Sequence, residues 1–194
     1  MIEDIMELLT TISYNCTDNW TRIEDYVLYS KNGFLHIDGL NISHTLMFKI
    51  RAKQSDVGLN FQYPCIYKKE DILSGKWKVN RMDFNNISDK TYWDLLKFDD
   101  VFDIDYDPAN FKDFERLLKK DIDEILIKNN TFQSVYSSKL LQSAIIPNIE
   151  DIMLKIIHRD APLRLHYNYS FFNVYCLIAP RLVDINPYIR ELVV

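Results

Sequence analysis

Hydrophobic and polar residues change their spacing several times along this chain, and each change marks an expected element. Ile2, Ile5, Met6, Leu9 and Ile12 fall on one face of a 3.6-residue period, with Glu3, Asp4 and Glu7 on the other, which predicts an amphipathic helix over 2–13. The period then shortens to two. Residues 26–50 alternate as strands do, and Asn32-Gly33 supplies the two residues that tolerate the positive φ of a tight hairpin turn. Between 54 and 93, turn signals at Gly58, Pro64, Gly75 and Asn85-Asn86 separate short apolar clusters, predicting short strands and a helical turn over 68–73.

Residues 94–107 hold six Asp against one Lys. Such self-repulsion predicts an exposed connector between an N-terminal half, 1–93, and a C-terminal half, 108–194. After Pro108 the pattern predicts a helix over 110–122 and a strand over 123–128. Counting about 100° per residue, Lys112, Arg116, Lys119 and Lys120 cluster opposite Phe111, Phe114, Leu117, Leu118 and Ile122. That basic stripe, together with Lys139, is a candidate DNA contact; a plain solvated helix face is the competing reading. A second helix is expected over 132–144, followed by two or three alternating strands to residue 183.

Composition narrows the function classes. With 194 residues, 47% of them hydrophobic and 13% aromatic, the chain can bury a substantial core. No run approaches the length of a membrane span, and the acidic start "MIEDIMELL" is unlike a signal peptide, so an intracellular protein is expected. A net charge of −5 argues against a uniformly basic nucleic-acid coat. The abundance of Ile, Lys, Asn, Asp and Tyr suits an AT-rich coding sequence, as in viruses or mobile elements. Cys16, Cys65 and Cys176 are too scattered for a zinc site or disulfide framework and read as free thiols.

The stretch "IIHRDAPL" (156–163) contains the HRD letters of a kinase catalytic loop. The Lys and Asn that such a loop requires are replaced by Pro162 and Leu165, and no Gly-rich loop precedes it. Asp160 and Pro162 instead read as a turn between strands. His36, His44, His158 and His166 have no Ser or Cys partner at a plausible spacing. No catalytic residue, metal or cofactor is expected.

Two ordered motifs carry a resemblance. Near the C-terminal end, Asp160-Ala161-Pro162-Leu163 leads through an aromatic-rich strand to Leu177-Ile178-Ala179-Pro180-Arg181. Near the start, a helix and a hairpin are followed by Asp38 through Met47, with Ser43-His44-Thr45-Leu46-Met47 at its end. The combination resembles the sliding clamps of the PCNA type, which have a D-x-P-L turn, a final L-A-P-K/R and an early D-x-S-H/R-V-x-L segment. The resemblance covers about half of the chain. It implies an α+β, sliding-clamp-like fold: two related halves, with helices on one face of antiparallel sheets and the middle repeats shortened.

The functional implications are mechanical. Clamps of this type encircle duplex DNA and recruit DNA polymerases and other clamp-binding proteins by short peptides, catalysing nothing. The implied partner-peptide pocket comprises Leu40, His44, Thr45, Met47, Pro162, Leu177, Ile178, Ala179 and Pro180. The acidic connector forms its outer wall, with Leu95, Leu96, Phe98 and Val101 as wall residues. Two departures weigh on this picture. The middle repeats leave little room for the strands that join clamp subunits into a homo-oligomeric ring, and the first helix has no cation on its polar face. The alternative is therefore a clamp-fold adaptor or inhibitor that binds proteins without a ring on DNA.

Overall fold

The computed structural model of the chain describes residues 2–78, 98–118, 123–146, 151–183 and 189–193. Helix α1 (Ile2–Asn15) is followed by β1 (Ile23–Lys31), β2 (Phe34–Asn41) and β3 (Leu46–Lys53). Short elements come next: α2 (Gln54–Val57), β4 (Cys65–Lys68) and α3 (Lys69–Leu73). The C-terminal half contains β5 (Asp107–Asn110), α4 (Phe111–Leu118), β6 (Glu124–Lys128), β7 (Gln133–Ser137), α5 (Ser138–Ala144), β8 (Asp151–Lys155), β9 (Leu163–Asn168), β10 (Phe172–Ile178) and β11 (Arg190–Val193).

The strands form an eight-stranded sheet, β4-β1-β2-β3-β10-β9-β8-β5, and a three-stranded sheet, β11-β6-β7. Every pairing in the large sheet is antiparallel, whereas β11 lies parallel to β6. The two halves meet through β3 and β10, where Phe48 pairs with Cys176 and Met47 with Leu177.

Alternation along the strands decides what each face buries. Phe48, Ile50, Leu165, Tyr167, Val174, Cys176 and Ile178 point to one face, where Ile5, Leu8, Leu9 and Ile12 of α1 complete an aliphatic core. Gly39 gives Tyr26 room there, since a Cβ at Gly39 would stand 2.8 Å from that ring. Helices α1, α5 and α4 lie side by side over this face. Asn15 Nδ2 donates to Ile145 O (3.0 Å) and Gln142 Nε2 to Leu118 O (3.0 Å), tying neighbours together. Cys16 and Cys176 are buried free thiols, and burial pushes the Cys16 thiol up to about 12.

Several expectations hold and others change. Asn32 and Gly33 take φ values of 53° and 79°, as a hairpin turn of this type demands. The helix expected over 132–144 is a helix only from Ser138; Gln133–Ser137 form β7, paired with β6. A hairpin therefore does stand between α4 and α5, contrary to the direct passage read from the sequence. Val135 and Tyr136 are both buried, the β-branched and aromatic content that favours a strand. The kinase-like letters lie in a turn: Asp160 has φ 62°, its N–H donates to Ser134 Oγ (2.9 Å), and Tyr136 Oη donates to Ala161 O (3.0 Å).

The acidic connector also differs from expectation. Asp99–Phe102 form a single 3-10 turn against the face opposite the helices, and Val101 is completely buried. The repulsion that predicted exposure is cancelled by cations remote in sequence, Lys31, Lys49 and Arg164. Leu95 and Leu96, expected in the connector wall, lie outside the described residues, as do Lys119 and Lys120 of the basic stripe.

Candidate partner-docking face

The helix-free face of the large sheet carries most of the residues expected to bind a partner. Its apolar portion is a second cluster in which Val27, Tyr29, Met47, Tyr175 and Leu177 surround Val101 of the connector, with Leu40 and Phe98 packed at its margin. Leu40 and Met47 face one another across β2 and β3, and Met47 in turn faces Leu177 of β10. Strand register thus brings three expected pocket residues and two connector residues together.

The remaining rim is set by the turn between β2 and β3. Asn41, nearly fully buried, accepts from the backbone N–H groups of Thr45 (2.8 Å) and Leu46 (2.9 Å) through its side-chain oxygen. Its amide nitrogen donates to Trp20 O at 2.6 Å. This network lets His44 hold φ 56°, an uncommon conformation for a non-glycine residue, and leaves His44 exposed. The Ala179 N–H donates to Thr45 O (2.8 Å), and Leu163, directly after Pro162, pairs with Ile178. His44, Thr45, Pro162, Ala179 and Pro180 therefore share one end of the sheet.

Ile178 does not join them. Alternation turns it away from Leu177 and into the aliphatic core, where it is wholly buried.

An ionic and aromatic layer, unanticipated from sequence, fastens the connector beside this cluster. Lys49 is fully buried and reaches Asp38 Oδ2 at 2.7 Å and Asp99 Oδ1 at 3.2 Å. Lys31 contacts Asp99 (2.8 Å), Arg164 contacts Asp100 (2.7 Å), and Tyr29 Oη donates to Asp38 (3.0 Å). Burial raises the Asp38 carboxyl above its ordinary range, with Lys49 and Tyr29 opposing that rise. Burial also pushes His36 down to about 4, and the Lys49 charge reinforces the effect. Neutral His36 stacks on Tyr29 at 4.6 Å and meets the edge of Phe102 at 5.3 Å, while Phe102 also meets Tyr175 at 5.0 Å. One signal was available in the sequence: Lys49 and Arg51 occupy alternate positions with Met47 on a strand, so that face had to be partly polar.

Among the described residues the helix side offers little unpaired positive charge. Arg116 pairs with Asp113 of its own helix (3.2 Å), and Lys139 pairs with Asp18 (2.6 Å). Lys112 is exposed. Helix α1 carries Glu3, Asp4 and Glu7 and no cation. Among the described residues no group of His, Cys, Asp and Glu could hold a metal ion, and no helix is long and apolar enough to cross a membrane.

No protein-family profile matches the chain, and no curated protein matches it in sequence. Solved structures do match. A. fulgidus PCNA, in a structure with the C-terminal region of FEN-1, aligns at a TM-score of 0.54 and 9% identity over 93% of this chain and 97% of that one. Entamoeba histolytica proliferating cellular nuclear antigen aligns at 0.56 and 8% identity over 92% and 95%. The PCNA2-PCNA3 complex from Sulfolobus tokodaii gives 0.58 and 12% identity over 93% and 96%. With helices on one face of an antiparallel sheet shared by two halves, and near-complete alignment to these proteins, the chain has the fold of the PCNA-type sliding clamp.

Proposed function

We propose that this protein is a PCNA-like, clamp-fold factor that recruits replication, repair or transcription proteins by docking a short peptide on its helix-free face. The observation that carries this reading is the meeting of Leu40, Met47 and Leu177 with Phe98 and Val101 of the connector, beside the rim of His44, Thr45, Pro162, Ala179 and Pro180. Leu40 and Phe98 stay partly exposed at the margin of this otherwise buried cluster, beside a separate wall segment, which suits contact with one or two anchor side chains, each worth roughly 1.5–3 kcal/mol on full burial. The matched A. fulgidus PCNA was solved with a FEN-1 C-terminal region bound, a partner of this general kind. The protein is a scaffold in this reading, with no chemistry of its own.

A second reading keeps the docking face and dispenses with the ring on DNA. The carboxylates of α1 and the internal pairing of Arg116 and Lys139 favour it, because duplex DNA is held by unpaired cations. Lys112, Arg116, Lys119, Lys120 and Lys139 remain the proposed contact if DNA is bound.

Fluorescence anisotropy with a labelled peptide of the Q-x-x-aliphatic-x-x-aromatic-aromatic type tests the docking face. Wild-type protein is expected to bind it, and Leu40→Asp to bind at least tenfold more weakly (about 1.4 kcal/mol) with an unchanged melting temperature. A wild-type protein that ignores such peptides at high micromolar concentration would sink the proposal. Light scattering separates the two readings, since a ring requires a closed oligomer and the adaptor does not.

A further inference from the structure

Among the described residues, most cations of the helix-free face that lie near the connector are paired. Lys31, Lys49 and Arg164 each hold a carboxylate of the connector or the sheet. Arg51 lies on the same face of β3, two residues beyond Lys49, and has no carboxylate partner among the described residues. Its guanidinium sits over the Phe34 ring at 3.8 Å and over that of Phe102 at 4.9 Å, and its buried Nε has no hydrogen-bond partner. A guanidinium held on aromatic faces keeps its in-plane N–H groups directed outward, in the fork that matches a carboxylate. Partial desolvation of that charge without an anion is unfavourable, and Arg51 is only half-buried, so an anion arriving from solvent can reach it.

We infer that Arg51 is an anion-recognition residue for a carboxylate carried by the docked partner segment, which makes that segment acidic on one flank. The inference rests on the docking reading above. Arg51 stands four residues from Met47 along one strand face, about 13 Å at the usual rise per residue. The acidic residue of an extended partner therefore belongs about four positions from its apolar anchor. Phe102 links this site to the connector, because the ring that packs on Arg51 belongs to the segment that walls the apolar cluster.

The test compares anchor peptides bearing two glutamates or two glutamines at about four positions from the anchor, on either side, against wild type, Arg51→Gln and Arg51→Lys. Wild type should prefer one glutamate peptide by roughly tenfold, the size expected of a charge-assisted pair. Arg51→Gln should abolish the preference without altering the affinity for the glutamine peptide or the melting temperature, and Arg51→Lys should retain only part of it. In parallel, an oligoglutamate peptide lacking the anchor is titrated while the Arg51 side-chain signals are followed by NMR. Equal affinities for the two flanks, or a preference that survives Arg51→Gln, overturn the Arg51 assignment and leave docking intact. If no anchor peptide binds but oligoglutamate shifts the Arg51 signals, the docking reading fails and the anion site stands. If neither occurs, both are wrong.

Discussion

The two faces of the eight-stranded sheet are built from the same strands and solve different problems. The helix-side face is aliphatic and dry: Leu165, Val174, Cys176 and Ile178 pack with α1 and none has appreciable exposure. The opposite face buries Lys49, Asp38, His36 and Arg164 beneath a short connector. Apolar contacts are tolerant of detail, whereas a buried charge is tolerable only with its partners in place. The first face therefore secures the fold, and the second fixes the position of one segment.

Exchanging the character of the two faces should have the largest effect. Ile178→Arg places a charge in the aliphatic core without a partner, and the expected loss exceeds about 4 kcal/mol, enough to leave little folded protein. Soluble, cooperatively melting Ile178→Arg protein would mean that Ile178 faces the helix-free side after all. The corresponding test on the other face is Lys49→Met, which strands Asp38 in a buried site and should cost about 3–5 kcal/mol in urea denaturation. Adding Asp38→Leu should recover most of that loss, because a matched apolar pair can replace a buried ion pair. Failure of the double variant to recover would show that Asp99, not Asp38, is the partner that matters for stability.

The smallest of the three concerns acid. His36 titrates near its ordinary value of 6.5 when unfolded and is held down to about 4 when folded, so between these limits the unfolded chain binds more protons. Stability should fall as pH drops from 6.5 toward 4, by up to ~3 kcal/mol from this group. Raised Asp38 works in the other direction on acidification, which is why the useful measurement is the difference between wild type and His36→Phe in melting temperature across that range. Identical pH profiles would remove His36 from the account.

The same contrast explains what was legible in the sequence. The helix-side core could be read because alternation and the 3.6-residue period are local signals; Ile5, Leu9 and Ile12 announce α1, and residues 26–50 announce the hairpins. Two short motifs named the expected pocket residues, and register does gather Leu40, Met47 and Leu177. Ile178 was misplaced because a motif names neighbours in sequence, and neighbours on a strand face opposite ways. Lys49, Arg164 and the burial of the connector were missed for a different reason. An Asp run looks self-repelling until its counter-charges are located, and those sit on β1, β3 and β9.

The pairing of β3 with β10 also sets an order of events in the making of the protein. Phe48 cannot find its neighbour until Cys176 has been synthesised, so the N-terminal half emerges with one alternating apolar strand edge unsatisfied. Closing so long a loop is slow by topology alone, and a half-made sheet is prone to pair with other chains. This protein should consequently fold late, after synthesis of nearly the whole sequence, and its yield should depend on the chaperones present while β3 waits.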